Sequence, residues 1–261
     1  MLEIRHRPLQ EGQSIKEAYD DLYQDTDLRM RDSFYLWLIS LLSPEKDGDR
    51  ILLDIACGQG RLVELAAQQG IRTIGTDFAI EGMLDGVEST PQAGWVVSDG
   101  EKIPMPDNCV DYITHIGSLE HYADPQQGAN EIARVLKPGG RACILLPNAF
   151  GLFMNIRYVQ RSGEIFDDEQ PIQRYATRGT WETLLRRGGL ETVSIHGMTE
   201  LNFPHTAADM FWMAKQPRKV IRSLMGVFVP VNLANFIVFI CTKGDEEPAR
   251  DNDIYYPMLA Y

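Results

Sequence analysis

Three aspartates lie in or next to three successive apolar runs within the first hundred residues of the sequence. Asp54 lies inside one apolar run, Asp77 ends the next run, and Asp99 directly follows a third. Gly58 and Gly60 come just after the first run, where they suit a tight turn that lets a ligand approach the backbone at a helix N-terminus. Each acid alone is more often a helix cap or a turn residue. Together with the glycine turn, the acids indicate a ligand site rich in carboxylates.

The carboxylates also indicate which charge such a ligand carries. A pyrophosphate brings negative charge, which carboxylates in a partly desolvated cleft would repel. The third glycine of a dinucleotide-binding turn is missing, with Val63 in its place. A cofactor with a sulfonium, an α-amino group and a ribose diol fits better, because carboxylates attract cations and accept hydrogen bonds from hydroxyls. The sequence therefore favours a cationic cofactor without phosphate.

Apolar runs bounded by turns alternate with helical periods along the chain. The predicted strands are residues 51–56, 71–76, 95–98, 109–116, 141–146, 190–195 and 235–241. The predicted helices are residues 60–69, 79–87, 125–136 and 178–187, and residues 137–140 are predicted to form a turn. This alternation is typical of an α/β fold with a mostly parallel sheet and helices on both faces. Ligands of such sheets bind at the carboxyl ends of the strands, where Asp77 and Asp99 come out.

The whole chain, residues 1–261, is predicted to be one domain because its length suits a single elaborated core. Residues 50–148 form the predicted cofactor-binding core. An amphipathic segment within residues 1–43 is predicted to form lid helices over the ligand mouth. Two insertions rich in aromatic residues, 148–177 and 201–231, are predicted to cap the acceptor side of the site and to determine the choice of substrate.

Composition limits the partners of the protein. The formal net charge of -12 opposes nonspecific attraction to nucleic acid, so no nucleic-acid partner is expected. The four cysteines show no CxxC spacing and are interpreted as core thiols of a reducing compartment: Cys57, Cys109, Cys143 and Cys241. No apolar signal region opens the sequence, and no run reaches the roughly 18 apolar residues of a membrane span, so we expect a cytoplasmic protein.

Four stretches together carry a family resemblance. The order "LLDIACGQGRL", "IGTDFA", "SDGEKIPMPDNCVDYI" and "EIARVLKPGGRACILLPN" resembles the class I S-adenosylmethionine-dependent methyltransferases, in particular the type 11-like group that acts on small molecules and lipids. The resemblance covers about residues 50–148. It implies a Rossmann-like sheet of seven strands with the last strand antiparallel, and S-adenosylmethionine as cofactor, with S-adenosylhomocysteine as product.

The resemblance also implies residue roles. Asp54, Ala56, Gly58 and Gly60 would surround the methionine portion of the cofactor. Asp77 would bind the ribose hydroxyls, so Asp77→Ala is expected to weaken cofactor binding with the fold intact. The remaining predicted cofactor residues are Phe78, Asp99, Gly100 and Glu101 at the adenine end and His115 and Gly117 at the end of the fourth strand. Ala56 stands where the family has glycine, and we expect tighter packing there rather than lost binding.

The segment "HIGSLEHYADP" follows the fourth predicted strand, where the transferred methyl group should lie. His121 is a candidate general base, because histidine titrates near neutral pH. The alternative is that Glu120 and His121 only orient the loop. His205, in the second insertion, is a further candidate, with a solvated loop histidine as the alternative. Related O-methyltransferases of the ubiquinone pathway carry a metal-binding E-x-x-E-H here, but Gly117 replaces the first acid, so no metal is predicted.

These residues predict an enzyme that transfers a methyl group to oxygen or nitrogen, less often carbon, of an aromatic or lipid-like small molecule. The alternatives are an enzyme of the same fold with non-methyl chemistry, a noncatalytic cofactor-binding partner of another protein, and a nicotinamide oxidoreductase.

A basic amphipathic stretch, residues 217–231, is interpreted as a core helix with a solvated face. Contact of that stretch with an anionic membrane is the alternative. The oligomeric state is left open.

Overall fold

The computed structural model describes residues 3–6, 13–25, 28–45, 49–198, 207–215 and 228–244. The strands are β1 (Glu3–His6), β2 (Ile51–Ile55), β3 (Arg72–Asp77), β4 (Gly94–Val97), β5 (Val110–Ile116), β6 (Leu136–Pro147), β7 (Ile172–Tyr175), β8 (Leu190–Met198) and β9 (Phe236–Lys243). The α-helices are α1 (Ile15–Asp25), α2 (Asp32–Leu42), α3 (Arg61–Gln68), α4 (Ile80–Ser89), α5 (Pro125–Val135), α6 (Arg157–Ser162), α7 (Arg178–Arg187) and α8 (Ala207–Lys215).

Seven of these strands form one sheet in the order β4-β3-β2-β5-β6-β9-β8. The pairs from β4 to β6 are parallel, and β9 runs antiparallel to both β6 and β8. This arrangement confirms the predicted α/β fold with a Rossmann-like sheet and an antiparallel last strand. The carboxyl ends of β2, β3, β4 and β5 lie at one edge, and the chain reverses its direction along the sheet between β2 and β5, which is where α/β folds bind ligands.

The central strands are apolar on both faces because helices cover both. Neighbouring side chains of β2 point to opposite sides. Leu52 packs in a core cluster with Phe34 and Leu38 of α2. Leu53 packs in a second cluster, which includes the fully buried Trp181 of α7. The two clusters fix the sheet between helical layers, so the strand ends are held as a rigid edge.

The predicted turn at residues 137–140 lies inside a strand. Strand β6 begins at Leu136, which pairs with Val110, and the next pair along the ladder joins Arg141 to Tyr112. The intervening residues bulge out of the ladder, with Gly139 in the left-handed region at φ 78°. Sequence alone suggested a turn because Pro and Gly favour one, but pairing of Leu136 starts the strand earlier than expected.

The first insertion contains regular structure that the sequence pattern did not predict. Residues 152–156 form a π-helical turn that continues into α6. Further on, β7 pairs antiparallel with β1 in a separate two-stranded sheet, so the insertion and the N-terminal segment are joined. The amphipathic N-terminal stretch forms two helices, α1 and α2, rather than one continuous run.

Most of the second insertion, including His205, lies outside the described residues. The described part contains α8, on which Met210 and Phe211 are both 65% exposed. Most of the basic stretch at residues 217–231 also lies outside the described part of the chain. Among the helices that are described, none combines the length and apolar character that a membrane crossing requires.

Candidate functional site

The turn after β2 has the left-handed backbone that its glycines predict. Ala56, Gly58 and Gly60 have φ angles of 55°, 49° and 72°. Such a φ costs an alanine roughly 1–2 kcal/mol, which explains why glycine is the easier residue at position 56. A Cβ on Gly60 would lie 2.5 Å from Cη2 of the Trp95 ring. Gly60 therefore packs against the protein interior.

Asp77, at the end of β3, holds the glycine turn in place. Its Oδ2 accepts a hydrogen bond from the backbone N–H of Gly58 at 2.8 Å, and its Oδ1 accepts one from Ala79 at 2.9 Å. Burial raises the pKa of this carboxyl, while the backbone N–H groups act against the rise. The side chain thus joins the turn after β2 to the start of α4.

Asp54 is a buried carboxyl within β2. Its Oδ1 accepts a hydrogen bond from the hydroxyl of Thr114 on the neighbouring strand β5, at 2.6 Å. Burial, with a smaller contribution from the charge of Asp77, raises the pKa of Asp54 to about 7. Within the described residues neither Asp54 nor Asp77 forms an ion pair. A cation in the adjoining cavity would stabilise the charge that burial disfavours.

The segment after β4 forms another wall of the cavity. Asp99 Oδ1 accepts a hydrogen bond from Glu101 N at 2.9 Å, and Glu101 Oε1 accepts one from Asp124 N at 3.1 Å. Gly100 lies against the ring of Tyr122, because a Cβ at Gly100 would be 1.9 Å from the Tyr122 hydroxyl oxygen. Only a residue without a side chain fits between this segment and Tyr122.

His115 lies behind Tyr122 and does not reach the cavity. The side chain is fully buried, and its Nε2 is 2.9 Å from the hydroxyl oxygen of Tyr122. Burial lowers the pKa of His115 to about 3, so the imidazole is neutral. The sequence suggested that His115 contacts a cofactor, whereas in the structure Tyr122 presents its ring to the cavity instead.

His121 ends the 3-10 turn of residues 119–121, and its two ring nitrogens have different surroundings. Nδ1 hydrogen bonds with the carbonyl oxygen of Ile172 in β7. Because that carbonyl can only accept, Nδ1 carries the proton in the neutral ring, and Nε2 has the lone pair. Nε2 lies 3.7 Å from Oε1 of Glu120 and 3.7 Å from Oδ2 of Asp168. Burial lowers the pKa of His121, and the Asp168 carboxylate opposes that shift.

A cavity of about 440 Å³ opens at the carboxyl edge of the sheet. Most of the residues predicted from sequence line it: Asp54, Ala56, Gly58, Asp77, Phe78, Asp99, Gly100, Glu101, Gly117 and His121. Gly60 and His115 are not among the lining residues, for the packing reasons given above. Within the described chain, no group of three or more His, Cys, Asp or Glu residues is arranged to hold a metal ion.

The N-terminal helices and the first insertion supply further walls of the cavity, through residues that the sequence motifs do not include. The hydroxyl of Tyr19 in α1 donates a hydrogen bond to Oε1 of Gln170 at 3.0 Å. The Tyr19 ring also lies 5.3 Å from the ring of Phe78, centroid to centroid. Further apolar lining comes from Ile15, Leu28, Met30, Phe34, Tyr35, Leu62 and Ile116. The amphipathic period of the N-terminal stretch and the aromatic content of the first insertion predicted walls in these two segments, but neither pattern identified the residues that line the cavity.

Two arginines line the cavity, and both lie close to carboxylates outside it. Arg61 pairs with Asp32 at 2.7 Å and with Glu64 at 2.5 Å. Arg29 Nη1 lies 3.6 Å from Asp85. The guanidinium charges are therefore largely balanced by these partners, and the cavity itself is acidic on one side and apolar on the other.

Comparison with known proteins relates this site to one family. Residues 53–144 match a family model described as a methyltransferase domain. The chain is 39% identical over 109 residues to the ubiquinone/menaquinone biosynthesis C-methyltransferase UbiE of Geobacter sulfurreducens, covering 38% of this chain and 42% of that protein. It is 32% identical over 159 residues to the biotin biosynthesis bifunctional protein BioHC of Cellvibrio japonicus, covering 60% of this chain and 30% of that protein. The chain thus spans less than half the length of these two curated relatives.

A solved structure shares the fold at lower identity. The phosphoethanolamine N-methyltransferase 2 of Haemonchus contortus, in complex with S-adenosyl-L-methionine, superposes with a TM-score of 0.60 at 15% sequence identity. The match covers 89% of this chain and 58% of that one. At this identity the likeness concerns the fold, and it extends beyond the matched domain to most of the chain.

Proposed function

Because the chain belongs to the class I S-adenosylmethionine-dependent methyltransferases, we propose that it binds S-adenosylmethionine and methylates a small-molecule acceptor in the cavity at the sheet edge. The observation that carries the proposal is the buried carboxyl of Asp54, which lines the cavity, lies close to Asp77 and forms no ion pair within the described residues. A cationic ligand is what such a carboxyl requires, since burial of an unpaired charge is costly.

The residues present fit the proposed cofactor. Asp54, Ala56 and Gly58 would hold its methionine portion. Asp77 would receive the ribose hydroxyls. Each oxygen of the Asp77 carboxylate accepts a backbone N–H, and a carboxylate has about four acceptor sites in all, so acceptor capacity remains for a ribose hydroxyl.

The adenine end would lie between aromatic and acidic groups. Phe78, backed by the Tyr19 ring, offers a flat apolar surface to a planar base. Asp99 would accept a hydrogen bond from the adenine amino group. Gly100 and Glu101, which adjoin Asp99 in the chain, also line the cavity. Gly117, the residue directly after β5, is a further lining residue. These assignments use every predicted cofactor residue except Gly60 and His115.

Bound S-adenosylmethionine would supply a methyl group attached to a positively charged sulfur. The chain's own residues would orient the acceptor, exclude water and remove a proton. His121 is the proposed general base, because Nδ1 is held by the Ile172 carbonyl and Nε2 keeps its lone pair. Helices α1 and α2 would align the acceptor and exclude water from the cavity, and these two effects would supply most of the remaining rate acceleration.

The cavity wall favours a neutral, apolar acceptor such as an aromatic or lipid-like molecule. Met30, Phe34 and Tyr35 present apolar surface, while the acidic residues disfavour a carboxylate or phosphate. Both cavity arginines are already close to carboxylates. We propose oxygen or nitrogen as the methylated atom, because a base that removes a proton is then useful, with carbon as the alternative.

The test is product formation with methyl-labelled S-adenosylmethionine and a panel of neutral aromatic, lipid-like, amine and carboxylate acceptors. We expect labelled product and one equivalent of S-adenosylhomocysteine with neutral apolar acceptors, and neither with carboxylates. Acceptor conversion without S-adenosylhomocysteine would indicate non-methyl chemistry on the same fold. Cofactor binding with turnover only after addition of a second protein would indicate a regulatory partner instead.

A further inference from the structure

We propose that Asp168 is a positioning residue that keeps His121 ready to accept a proton and stabilises the ring once it is protonated. The inference rests on the proposed function, in which His121 takes a proton from the acceptor. It assigns a role to the first insertion that the family resemblance does not cover, because Asp168 lies outside residues 50–148.

Two contacts to the insertion determine the state of the His121 ring. Nδ1 bonds to the Ile172 carbonyl, so the ring cannot rotate without losing a buried hydrogen bond. Nε2 has no hydrogen-bond partner within the described residues and lies 3.7 Å from Asp168 Oδ2. A protonated Nε2 would therefore face a carboxylate at a distance that a small side-chain movement converts into a hydrogen bond.

Glu120 lies equally close to Nε2 but carries a different charge. Its side chain is 4% exposed, and its Oε2 is buried without a hydrogen-bond partner in the described chain. Burial raises the pKa of Glu120 to about 8, so this carboxyl is mainly neutral at pH 7. The Asp168 side chain is 24% exposed, and its Oδ1 accepts a hydrogen bond from Gln170 N at 3.1 Å. Asp168 is therefore the negative charge that faces the ring.

The other groups around His121 do not replace that charge. Arg174 of β7 donates hydrogen bonds to the carbonyl oxygens of Glu120, Tyr122 and Ala123, which anchors the loop that carries the base. Its positive charge opposes protonation of His121. The hydroxyl of Tyr19 and the ring of His115 are both neutral, since burial raises the pKa of the tyrosine and lowers the pKa of the histidine.

The proposed proton step is simple. The acceptor's O–H or N–H proton moves to His121 Nε2, and the bonding electron pair stays on the acceptor atom. The imidazolium then pairs with the Asp168 carboxylate until its proton leaves to water. Without that carboxylate, the buried ring would be a weaker base, because burial disfavours its charged form.

The test measures the titration of His121 by NMR, through its Cε1–H signal, in the full chain without cofactor or acceptor. The signal is identified by its loss in His121→Gln. Asp168→Asn keeps an oxygen for Gln170 N but removes the charge, and it should lower the His121 midpoint by about one pKa unit or more. Asp167→Asn is the matched control, because Asp167 is the adjacent, exposed carboxylate of the same loop, and it should leave the midpoint unchanged. An unchanged midpoint in Asp168→Asn overturns the proposal.

A second measurement covers the case in which Asp168→Asn fails to fold. In the unaltered protein with ¹³C-labelled aspartate, the Asp168 carboxyl signal should show a step at the His121 midpoint, and this step should disappear in His121→Gln. A carboxyl signal with no such step contradicts the proposed pairing of Asp168 with His121.

Turnover adds a third readout. In Asp168→Asn, the acid limb of the pH profile of kcat/KM should shift in the same direction as the His121 midpoint. A lowered midpoint without methyl transfer to any acceptor would support the pair and count against the proposed function.

Discussion

Gly58 donates its backbone N–H to Asp77 Oδ2 at 2.8 Å, so the acid proposed to bind the ribose also closes the turn after β2. The same carboxylate accepts the N–H of Ala79. The Asp77 side chain therefore holds the turn in place and is also proposed to bind the ribose. Removal of its carboxylate should affect both the stability of the protein and its affinity for the cofactor.

Asp77→Ala should lower both cofactor affinity and stability. Two buried N–H groups lose their acceptor, and each unsatisfied group costs about 1–3 kcal/mol. Loss of the ribose contacts should weaken binding by a similar amount. Asp77→Asn is the control, because it keeps an oxygen for one of the two N–H groups and should be less destabilised. Urea denaturation and calorimetric titration with S-adenosylhomocysteine measure the two effects, and an unchanged dissociation constant in Asp77→Ala would refute the ribose role.

Gly60→Ala should destabilise the protein by about 1–3 kcal/mol, the usual cost of overpacking. Its Cβ would meet the Trp95 ring at 2.5 Å and Gly86 Cα at 2.9 Å. Gly139→Ala is the matched control, since Gly139 has a similar φ of 78° and nothing within 4 Å of the added carbon. Denaturant unfolding of both variants separates packing from backbone strain. Equal losses would show that backbone conformation, and not Trp95, makes glycine necessary at position 60.

Asp54→Asn should gain stability relative to the unaltered protein as the pH rises from about 4 to 8. The folded pKa of about 7 exceeds the ordinary value, near 4. The folded protein therefore holds this proton more tightly than the unfolded chain, and ionisation lowers the free energy of unfolding as the pH rises through that window. Each unit of such a shift corresponds to about 1.4 kcal/mol. Denaturant midpoints at several pH values measure the difference. Asp85→Asn, at a carboxylate more than half exposed, should show no comparable trend.

His121→Gln should lower kcat by about 100-fold or more, the usual contribution of a general base. The dissociation constant for S-adenosylhomocysteine should stay the same, because His121 is not among the residues proposed to hold the cofactor. Steady-state kinetics with an acceptor from the panel, together with calorimetry, measure the two quantities. His196→Gln, on β8, is the control and should leave turnover unchanged. Full activity of His121→Gln would leave the ring only a role in orienting its loop.

The parts of the fold that follow from local patterns could be predicted from sequence. The alternation of apolar runs and helices predicted the sheet. The acid at the end of β3 and the glycine turn after β2 predicted residues that line the cavity, on the side proposed for the cofactor. Both depend on residues near one another in the chain. The bulge at the start of β6 was harder to predict, since its Pro and Gly residues favour a turn and only pairing with β5 decides otherwise.

The proposed acceptor side of the cavity depends on contacts between distant parts of the chain, which no local period encodes. The pairing of β1 with β7 joins residues about 170 positions apart and brings Ile172 and Arg174 to the His121 loop. Likewise, the sequence placed His115 at the site because its segment comes at the end of the fourth predicted strand, where the transferred methyl group should lie. In the fold, Tyr122 packs over that histidine and takes its place on the cavity wall.

The most direct test of the central claim is calorimetric titration of the full chain with S-adenosylhomocysteine and, separately, with NADH. Asp54, Asp77 and Asp99 line the cavity, so the site should accept a ligand with an ammonium group and a ribose diol and reject a pyrophosphate. We predict saturable binding of S-adenosylhomocysteine, weakened in Asp77→Ala, and no heat with NADH. Binding of NADH with no response to S-adenosylhomocysteine would contradict the account.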